Sequence, residues 1–492
     1  MTTVSSALGT TAAKRSAVPA WEELGFRSLE TEIVEARPLE VRGALPKELS
    51  GALYRIGPAR HDVYGDRFRS WFDGDGMVHA LAIEGGRVTY RNRFVATLGK
   101  VAEDRASKRL YGSFDTPGPG GAVTRFVHRN DRKNPANTNV VFHAGKLLAL
   151  CEAGRPYRLD PETLETMGED DMSGTLASDA TYSAHAKLDP ETGEMWNFGA
   201  SYGREAKLHV FCTTKKGETR LAAELTMPVP AMVHDFAITK TKVVFVIAPI
   251  VLPRVPLALV LGQASFGESL RYRPELGVNV AVVDRATGET RWSRTDPFML
   301  FHTVNAWDEG NDVVLDVCAY PDARIMRTIE DVMVGDAPHR APSYVERMRI
   351  ESSGRVTRVR LSETPLEFPR VAGRAFGKQH RIVYGVAWTE GRPFFALPAV
   401  IDTVTGETRL AALGPAEFAG ECVPVSKANA TSESDVWLLT LVLDGASRAT
   451  ELRVLDGADV AAPPVATVRL PHVVPFGFHG NWVSSARRGA VA

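Results

Sequence analysis

Apolar positions along this chain fall into short runs rich in β-branched residues and broken by polar turns. Examples are VVFHAGKLLALCE, KVVFVIAP, NVAVVDRATGETRW, DVVLDVCAY and VWLLTLVLD. Sustained helical periodicity is scarce, so the pattern predicts strands throughout. A turn phrase recurs between the runs: LDPETGE at 188–194, VDRATGET at 283–290, IDTVTGET at 401–408 and, more loosely, LDPETLET at 159–166. In each an apolar strand ends at Asp, whose side chain can accept from the backbone two residues on, and in the first three a Gly follows where φ turns positive. These phrases read as hairpin tips. Many hairpins without alternating helices argue for radial repetition of small antiparallel sheets, an all-β propeller. The pattern does not give the number of blades.

The remaining composition narrows the class. Hydrophobic residues at 44% and charged ones at 24% of 492 residues suit a globular chain with a large core. A formal net charge of −1, with no basic run, gives no reason to expect nucleic acid. Residues 1–25 open with MTTVSSALGTTAAKRSAVPA, small and polar without the apolar segment of a secretory signal, and are expected to form a disordered tail ahead of a single domain over 26–492. Cys151, Cys212, Cys318 and Cys422 are isolated and lie in or beside apolar runs, which fits reduced, buried thiols in a cytoplasm.

Four of the twelve histidines share one setting: His185 in TYSAHAKLD, His234 in PAMVHDFAIT, His302 in FMLFHTVNAW and His479 in PFGFHGNWV. Each follows an apolar or small residue beside an expected strand end. Around His479, Gly477 and Gly480 permit close backbone approach, while Phe478 and Trp482 are expected to wall the imidazole. The separations are far too wide for a zinc finger or a helical HExxH site. A propeller removes that difficulty, because the innermost strands of all blades converge on one axis. Taken singly, each of these residues also reads as a satisfied core histidine; the shared setting favours a common ion.

Two other stretches invite readings of their own. FDGDG at 72–76 carries two aspartates but lacks the ligand spacing and terminal Glu of an EF-hand loop, so it reads as a tight structural turn. VVFVIAPIVLPRVPLALVLG at 243–262 is apolar enough to raise a membrane-spanning reading, against which stand Pro249, Pro253, Pro256 and Arg254. A buried strand to Ala248 followed by an apolar loop or short helix fits better.

LSGALYRIGP at 49–58, WFDGDGMVHAL at 71–81, NPANTNVV at 134–141, SAHAKLDPETGE at 183–194, VHDFAIT at 233–239, LEFPR at 366–370 and PFGFHGNW at 475–482 together resemble the carotenoid cleavage oxygenases, most closely the bacterial apocarotenoid oxygenases. The resemblance implies a seven-bladed β-propeller with the metal on its axis and loops and short helices forming a cap over one face. It implies non-haem Fe(2+) held by His185, His234, His302 and His479, the same four that the residues themselves bring forward. Imidazole alone suits iron, zinc and copper alike. Glu152, Glu367 and Glu421 map to carboxylates that bond ligand N–H groups, a role that fixes tautomers and raises basicity. Thr138 maps to a residue that crowds one open position of the metal.

On the substrate side, Phe72, Phe301, Cys151 and Met232 map to a tunnel. Cys151 and Met232 depart from the aromatics that apocarotenoid-cleaving relatives carry there, and Cys151 also differs from the Lys of stilbene-cleaving relatives. The implied activity is oxidative cleavage by O2 of a conjugated C=C bond in a carotenoid or apocarotenoid to two carbonyl products, with central 15,15′ cleavage to retinal as one outcome. The alternatives are cleavage of a smaller styrene- or stilbene-type alkene and a non-catalytic propeller that only binds a polyene. The resemblance further implies a hydrophobic polyene or alkene partner and peripheral membrane contact through 250–262, on the inner face of a membrane for an otherwise cytoplasmic protein.

Overall fold

The computed structural model describes residues 21–131, 133–152, 154–334, 341–392 and 394–489. Its strands form seven antiparallel sheets arranged as a seven-bladed β-propeller, together with two small two-stranded ribbons. Five blades are simple four-stranded meanders, in which consecutive strands pair in chain order.

The other two blades close the ring from both chain ends. In the first, Gly480–Ser484 pairs with Gly51–Arg60, so the last strand of the chain is laid against one of its earliest. In the last, Val41–Gly43 pairs with Ala466–Arg469. Gly51–Arg60 lies between two neighbours in its sheet and is buried along its whole length. A strand covered on both faces loses the apolar-polar alternation of a half-exposed one. Each closure spans nearly the whole chain, so the propeller depends on pairings that local propensity cannot supply.

The turn phrases form hairpin tips as expected. Asp189, Asp284, Asp402 and Asp160 each accept from two backbone N–H groups further along their own turn through Oδ1. In the looser phrase Leu164 takes the positive φ, at 59°, where the others have Gly. A fifth tip of the same kind follows Asp444, with Arg448 at φ 50°.

Part of the expected tail is ordered structure. Trp21–Gly25 is helical, Leu24 is buried with Phe26, and the Gly25 carbonyl accepts from Phe476 N–H. The apolar cluster of Leu24, Phe26, Trp71 and Phe476 removes these residues from water, which is why 21–25 belong to the fold. Residues 1–20 lie outside the described residues.

FDGDG is a structural turn: Asp73 accepts from Asp115 N–H and Thr116 Oγ1, and Asp75 pairs with Arg60 and Lys133. In the apolar stretch, Lys242–Ile247 is a buried strand and Leu257–Val260 a short helix. Among the described residues no helix is long and apolar enough to cross a membrane. Segments between and within blades, at 108–131, 133–138, 252–266, 320–332, 341–342, 388 and 394–395, line a cavity on one face of the propeller. They form the cap.

Candidate metal centre

The innermost strand of a meander blade is its first, and the residue entering or opening that strand faces the axis. Thr138 precedes Asn139–His143, His185 precedes Lys187–Leu188, and His234 precedes Ala237–Ile238. His302 lies in Met299–Glu309 and Glu367 in Leu366–Arg370. Glu421 sits between Glu417–Ala419 and Val423–Ser426, and His479 precedes Gly480–Ser484. His302 and Glu367 both fall where the ladder register shifts. Such irregularities re-aim a side chain that regular pairing would fix.

The four histidines meet. Ring centroids are 4.3 Å apart for His185 and His234, 4.9 Å for His185 and His479, 5.0 Å for His302 and His479, and 5.2 Å for His185 and His302. Nitrogens of His185, His302 and His479 all lie within 4.8 Å of one another. His185 Nε2 and His234 Nε2 are 2.9 Å apart.

The carboxylates occupy the opposite edges of the rings. His302 Nδ1 lies 2.5 Å from Glu367 Oε2, His479 Nδ1 2.9 Å from Glu421 Oε1, and His234 Nδ1 3.0 Å from Glu152 Oε1. A neutral imidazole whose Nδ1–H is donated to a carboxylate carries its lone pair on Nε2. The Nε2 of His302 is buried with no hydrogen-bond partner among the described residues. A buried acceptor without a donor is costly, and a cation accounts for it. The cluster therefore fits a metal ion on the axis, with neutral imidazoles as the donor set.

Electrostatics agree with neutral rings for two of the four. Burial holds His185 well below the usual imidazole range, with the neighbouring imidazoles adding to the effect. Burial likewise depresses His479 to about 4, although Glu421 opposes it. Burial pulls His234 down, but the Glu152 carboxylate beside it, together with Asp235 and Glu367, raises it on balance. Glu421 is held well below the carboxylate range despite burial, by Arg370, His479 and Arg55.

The cavity of about 1480 Å³ reaches His234, His302 and His479 and is walled by aromatics. All four expected tunnel residues, Phe72, Phe301, Cys151 and Met232, line it, as does Thr138. Phe301 stands edge-on to His234 at 5.3 Å and to Phe72 at 6.1 Å, and Phe72 is tilted against Phe478 at 5.7 Å. Cys151 is therefore cavity-facing, whereas Cys212, Cys318 and Cys422 are buried; none of the four forms a disulfide among the described residues.

Trp482 is a correction. It pairs with Leu53 and packs on the cluster around Leu81 and Leu452, away from the site. Phe368 takes the expected place, 5.5 Å from His302 and 5.4 Å from His479, at φ 51°. Sequence reading also missed Tyr320, which donates to Glu367 Oε1 at 2.7 Å, and the arginines on Glu421. Nothing in the sequence signalled Phe368: the following proline favours an extended residue before it, and the positive φ departs from that.

A family model described as retinal pigment epithelial membrane protein matches residues 26–484. The apocarotenoid-15,15′-oxygenase of Synechocystis sp. is 32% identical, over 91% of this chain and 93% of its own length. The isoeugenol monooxygenase of Pseudomonas nitroreducens is 31% identical, over 90% of this chain and 94% of its own. The solved structure of the cobalt-substituted Synechocystis apocarotenoid oxygenase superposes with a TM-score of 0.88, at 30% identity over 94% of this chain and 98% of that one.

Proposed function

The chain belongs to the carotenoid cleavage oxygenase family, and from that premise we propose that it is a non-haem iron(II) dioxygenase that splits a conjugated C=C bond of a carotenoid or apocarotenoid into two carbonyl products. One observation carries the reading: four imidazoles with converging nitrogens stand where an aromatic cavity of about 1480 Å³ meets the propeller axis. His185, His234, His302 and His479 would hold the ion, and Glu152, Glu367 and Glu421 would orient three of them. Iron(II), when bound, supplies a redox-active centre for the activation of dioxygen.

The chain's own residues do the rest. Phe72, Phe301 and Phe478 present ring faces and edges that hold an apolar alkene straight and exclude water. Thr138 narrows the space on one side of the site. Holding the reacting bond in one place is the main service such a tunnel performs, since positioning alone removes much of a barrier. The cavity exceeds the roughly 300–1,000 Å³ of ordinary small-molecule pockets, which favours a long polyene over a styrene-sized alkene.

The mouth supports delivery from a bilayer. Val255, Leu257 and Val260 are exposed, and so are Val123, Phe126 and Val127 of the helix Ala122–Val127. Gln263 Nε2 joins the two segments by donating to Ala122 O, and both contribute to the cavity rim. An apolar patch of this kind around an opening is a docking surface for a membrane, here for a protein of the cytoplasm. Leu257→Glu with Phe126→Glu should abolish co-flotation with liposomes; unchanged flotation would refute the docking.

The enzymatic reading is tested by loading anaerobically purified protein with iron(II), adding an apocarotenoid panel and admitting oxygen. Two carbonyl fragments per alkene, identified by mass spectrometry, are the expected products. Binding of the polyene without any fragment would favour a carrier instead.

A further inference from the structure

His479 is carried by the strand that closes the ring, and its neighbourhood is permissive. Gly477 and Gly480 flank it, and a Cβ on Gly480 would meet Tyr54 O at 2.3 Å. Close approach thus requires glycine, and glycine leaves the backbone free to wander. Something else has to fix the imidazole.

Two arginines converge on it, Arg55 from the strand paired with Gly480–Ser484 and Arg370 from another blade. Arg55 donates from Nη2 to Phe478 O at 2.8 Å and from Nη1 to Glu421 Oε2 at 2.6 Å. Arg370 donates from Nη2 to Gly480 O at 3.0 Å, from Nε to Glu421 Oε1 at 2.8 Å, and from Nη1 to Asn481 Oδ1 at 3.4 Å. The carbonyl before His479 and the carbonyl after it are therefore each held by a guanidinium. Both guanidinia also hold the carboxylate that accepts from His479 Nδ1. Glu421 further accepts from Gly480 N–H at 3.0 Å. Among the described residues, neither Glu152 nor Glu367 has an arginine within ion-pair distance. The compensation is specific to His479.

We propose that Arg55 and Arg370 are positioning residues that set where His479 presents its imidazole, by clamping both flanking peptide carbonyls together with the carboxylate on Nδ1. A planar fork with several donors can bridge carbonyl and carboxylate at once, which an ammonium cannot. The charge balance is part of the device. Each Glu421 oxygen meets one guanidinium and one further donor, Arg370 and His479 Nδ1 on Oε1, Arg55 and Gly480 N–H on Oε2, which fixes the carboxylate in place. The clamp also couples the ring closure to the site, since Gly480–Ser484 is the strand held against Gly51–Arg60, which carries Arg55.

The inference rests on the reading that His479 holds the metal, so the test separates the two. Full-length protein stripped of metal is titrated with cobalt(II), and affinity and the visible cobalt absorption are recorded for the parent, His479→Ala, Arg370→Gln and Arg370→Lys. Arg370 is chosen because it is part-exposed, whereas Arg55 is buried. The expected result for Arg370→Gln is cobalt affinity lower by about 10-fold or more and a changed absorption band, with the melting temperature of the metal-free protein unchanged. Arg370→Lys should recover only part of the loss, having the charge without the fork. If Arg370→Gln does not fold, Arg370→Lys decides alone: weakened binding with a changed band supports the clamp, and parental affinity and band overturn it. A parent that binds no cobalt, or a His479→Ala variant that binds like the parent, refutes the metal reading. Tight binding by the parent, loss in His479→Ala and a parental Arg370→Gln overturn the clamp alone.

Discussion

Replacing Glu367 by Gln changes one atom and isolates what its charge does for His302. The carboxylate accepts from three donors: His302 Nδ1 at 2.5 Å and Phe368 N–H at 2.9 Å on Oε2, and Tyr320 O–H at 2.7 Å on Oε1. A Gln side chain fits the same space. Its carbonyl oxygen can stay with His302 and Phe368, and its NH2 can face Tyr320, whose hydroxyl turns to accept. The Tyr320 proton can turn to the Ser343 hydroxyl, its other side-chain partner, so no buried donor is stranded and the fold should survive. What is lost is the ionised acceptor, which separates a bond of about 1.5–3 kcal/mol from a neutral one of about 0.5–1.5. The difference of about 1–1.5 kcal/mol, carried through His302 to the metal, corresponds to roughly a 10-fold loss of affinity. That lies at the lower end of the roughly 10 to 100-fold range usual for partners of ligating histidines. The assay is metal titration of stripped protein beside chemical denaturation of the same sample. Glu367→Leu is the contrast: it strands the His302 Nδ1–H and Phe368 N–H donors at about 1–3 kcal/mol each, so affinity and denaturation midpoint should both fall. Parental metal affinity in Glu367→Gln would refute the argument, because the charge would then do nothing for the site.

Three further outcomes follow from the same structure. His479→Ala should give a folded protein that no longer binds iron tightly, measured by metal content after gel filtration; parental occupancy would remove His479 from the site. Cys151→Trp and Met232→Phe, singly and together, narrow the cavity with rigid rings in place of a small and an adaptable side chain. Substrate-length preference or product ratio should shift at constant iron content, and an unchanged product profile across chain lengths would place selectivity elsewhere. Asp115 is buried, which with the nearby Asp73 charge pushes its carboxyl up to about 8. A folded-state value above the unfolded one means that its contribution is fully present below about pH 4 and is lost as pH rises towards 8. Asp115→Asn should therefore raise the melting temperature at pH 8 and flatten its decline between pH 5 and 8; a slope like the parent's would refute that assignment.

Legibility in the sequence followed the range of the interactions. Hairpin tips were readable because the Asp-to-backbone bonds that make them span two or three residues. The tip after Asp444 escaped because DGASR does not repeat the turn phrase and Arg448 holds the positive φ that glycine signals elsewhere. Trp482 misled because nearness in sequence was taken for nearness in space, while the strand Gly480–Ser484 carries its side chain to another cluster. The helix Ala122–Val127 at the cavity mouth was too short to show periodicity. Arg55 and Arg370 were beyond reach, being ordinary cations whose shared partner, Glu421, lies far away along the chain in both cases.

The site itself became legible through one topological rule. Thr138, His185, His234, His302, Glu367, Glu421 and His479 come one from each blade, at or near the start of the innermost strand or strands. Meander blades succeed one another around the axis, so order along the chain becomes order around the ring. Hydrogen bonds between successive blades bear this out: Asn139 donates to Ala184 O, Ser183 to His234 O, and Thr303 N–H to Asp235. The ring closes where His479 N–H donates to Thr138 O. Two carboxylates are then neighbours of the histidines they bond, Glu367 beside His302 and Glu421 beside His479, with no long reach required. Glu152 breaks the rule, since it follows Lys146–Leu150, the second strand of its blade, and reaches His234 two blades on. It also lacks both the arginines of Glu421 and the tyrosine of Glu367, so its carboxylate is the least tethered of the three. Its neighbour in sequence is Cys151, on the cavity wall. A bulkier residue at 151 stands next to the carboxylate beside His234, so iron content has to be measured alongside product ratio in that variant: constant iron assigns the shift to the tunnel, and lost iron assigns it to the metal site.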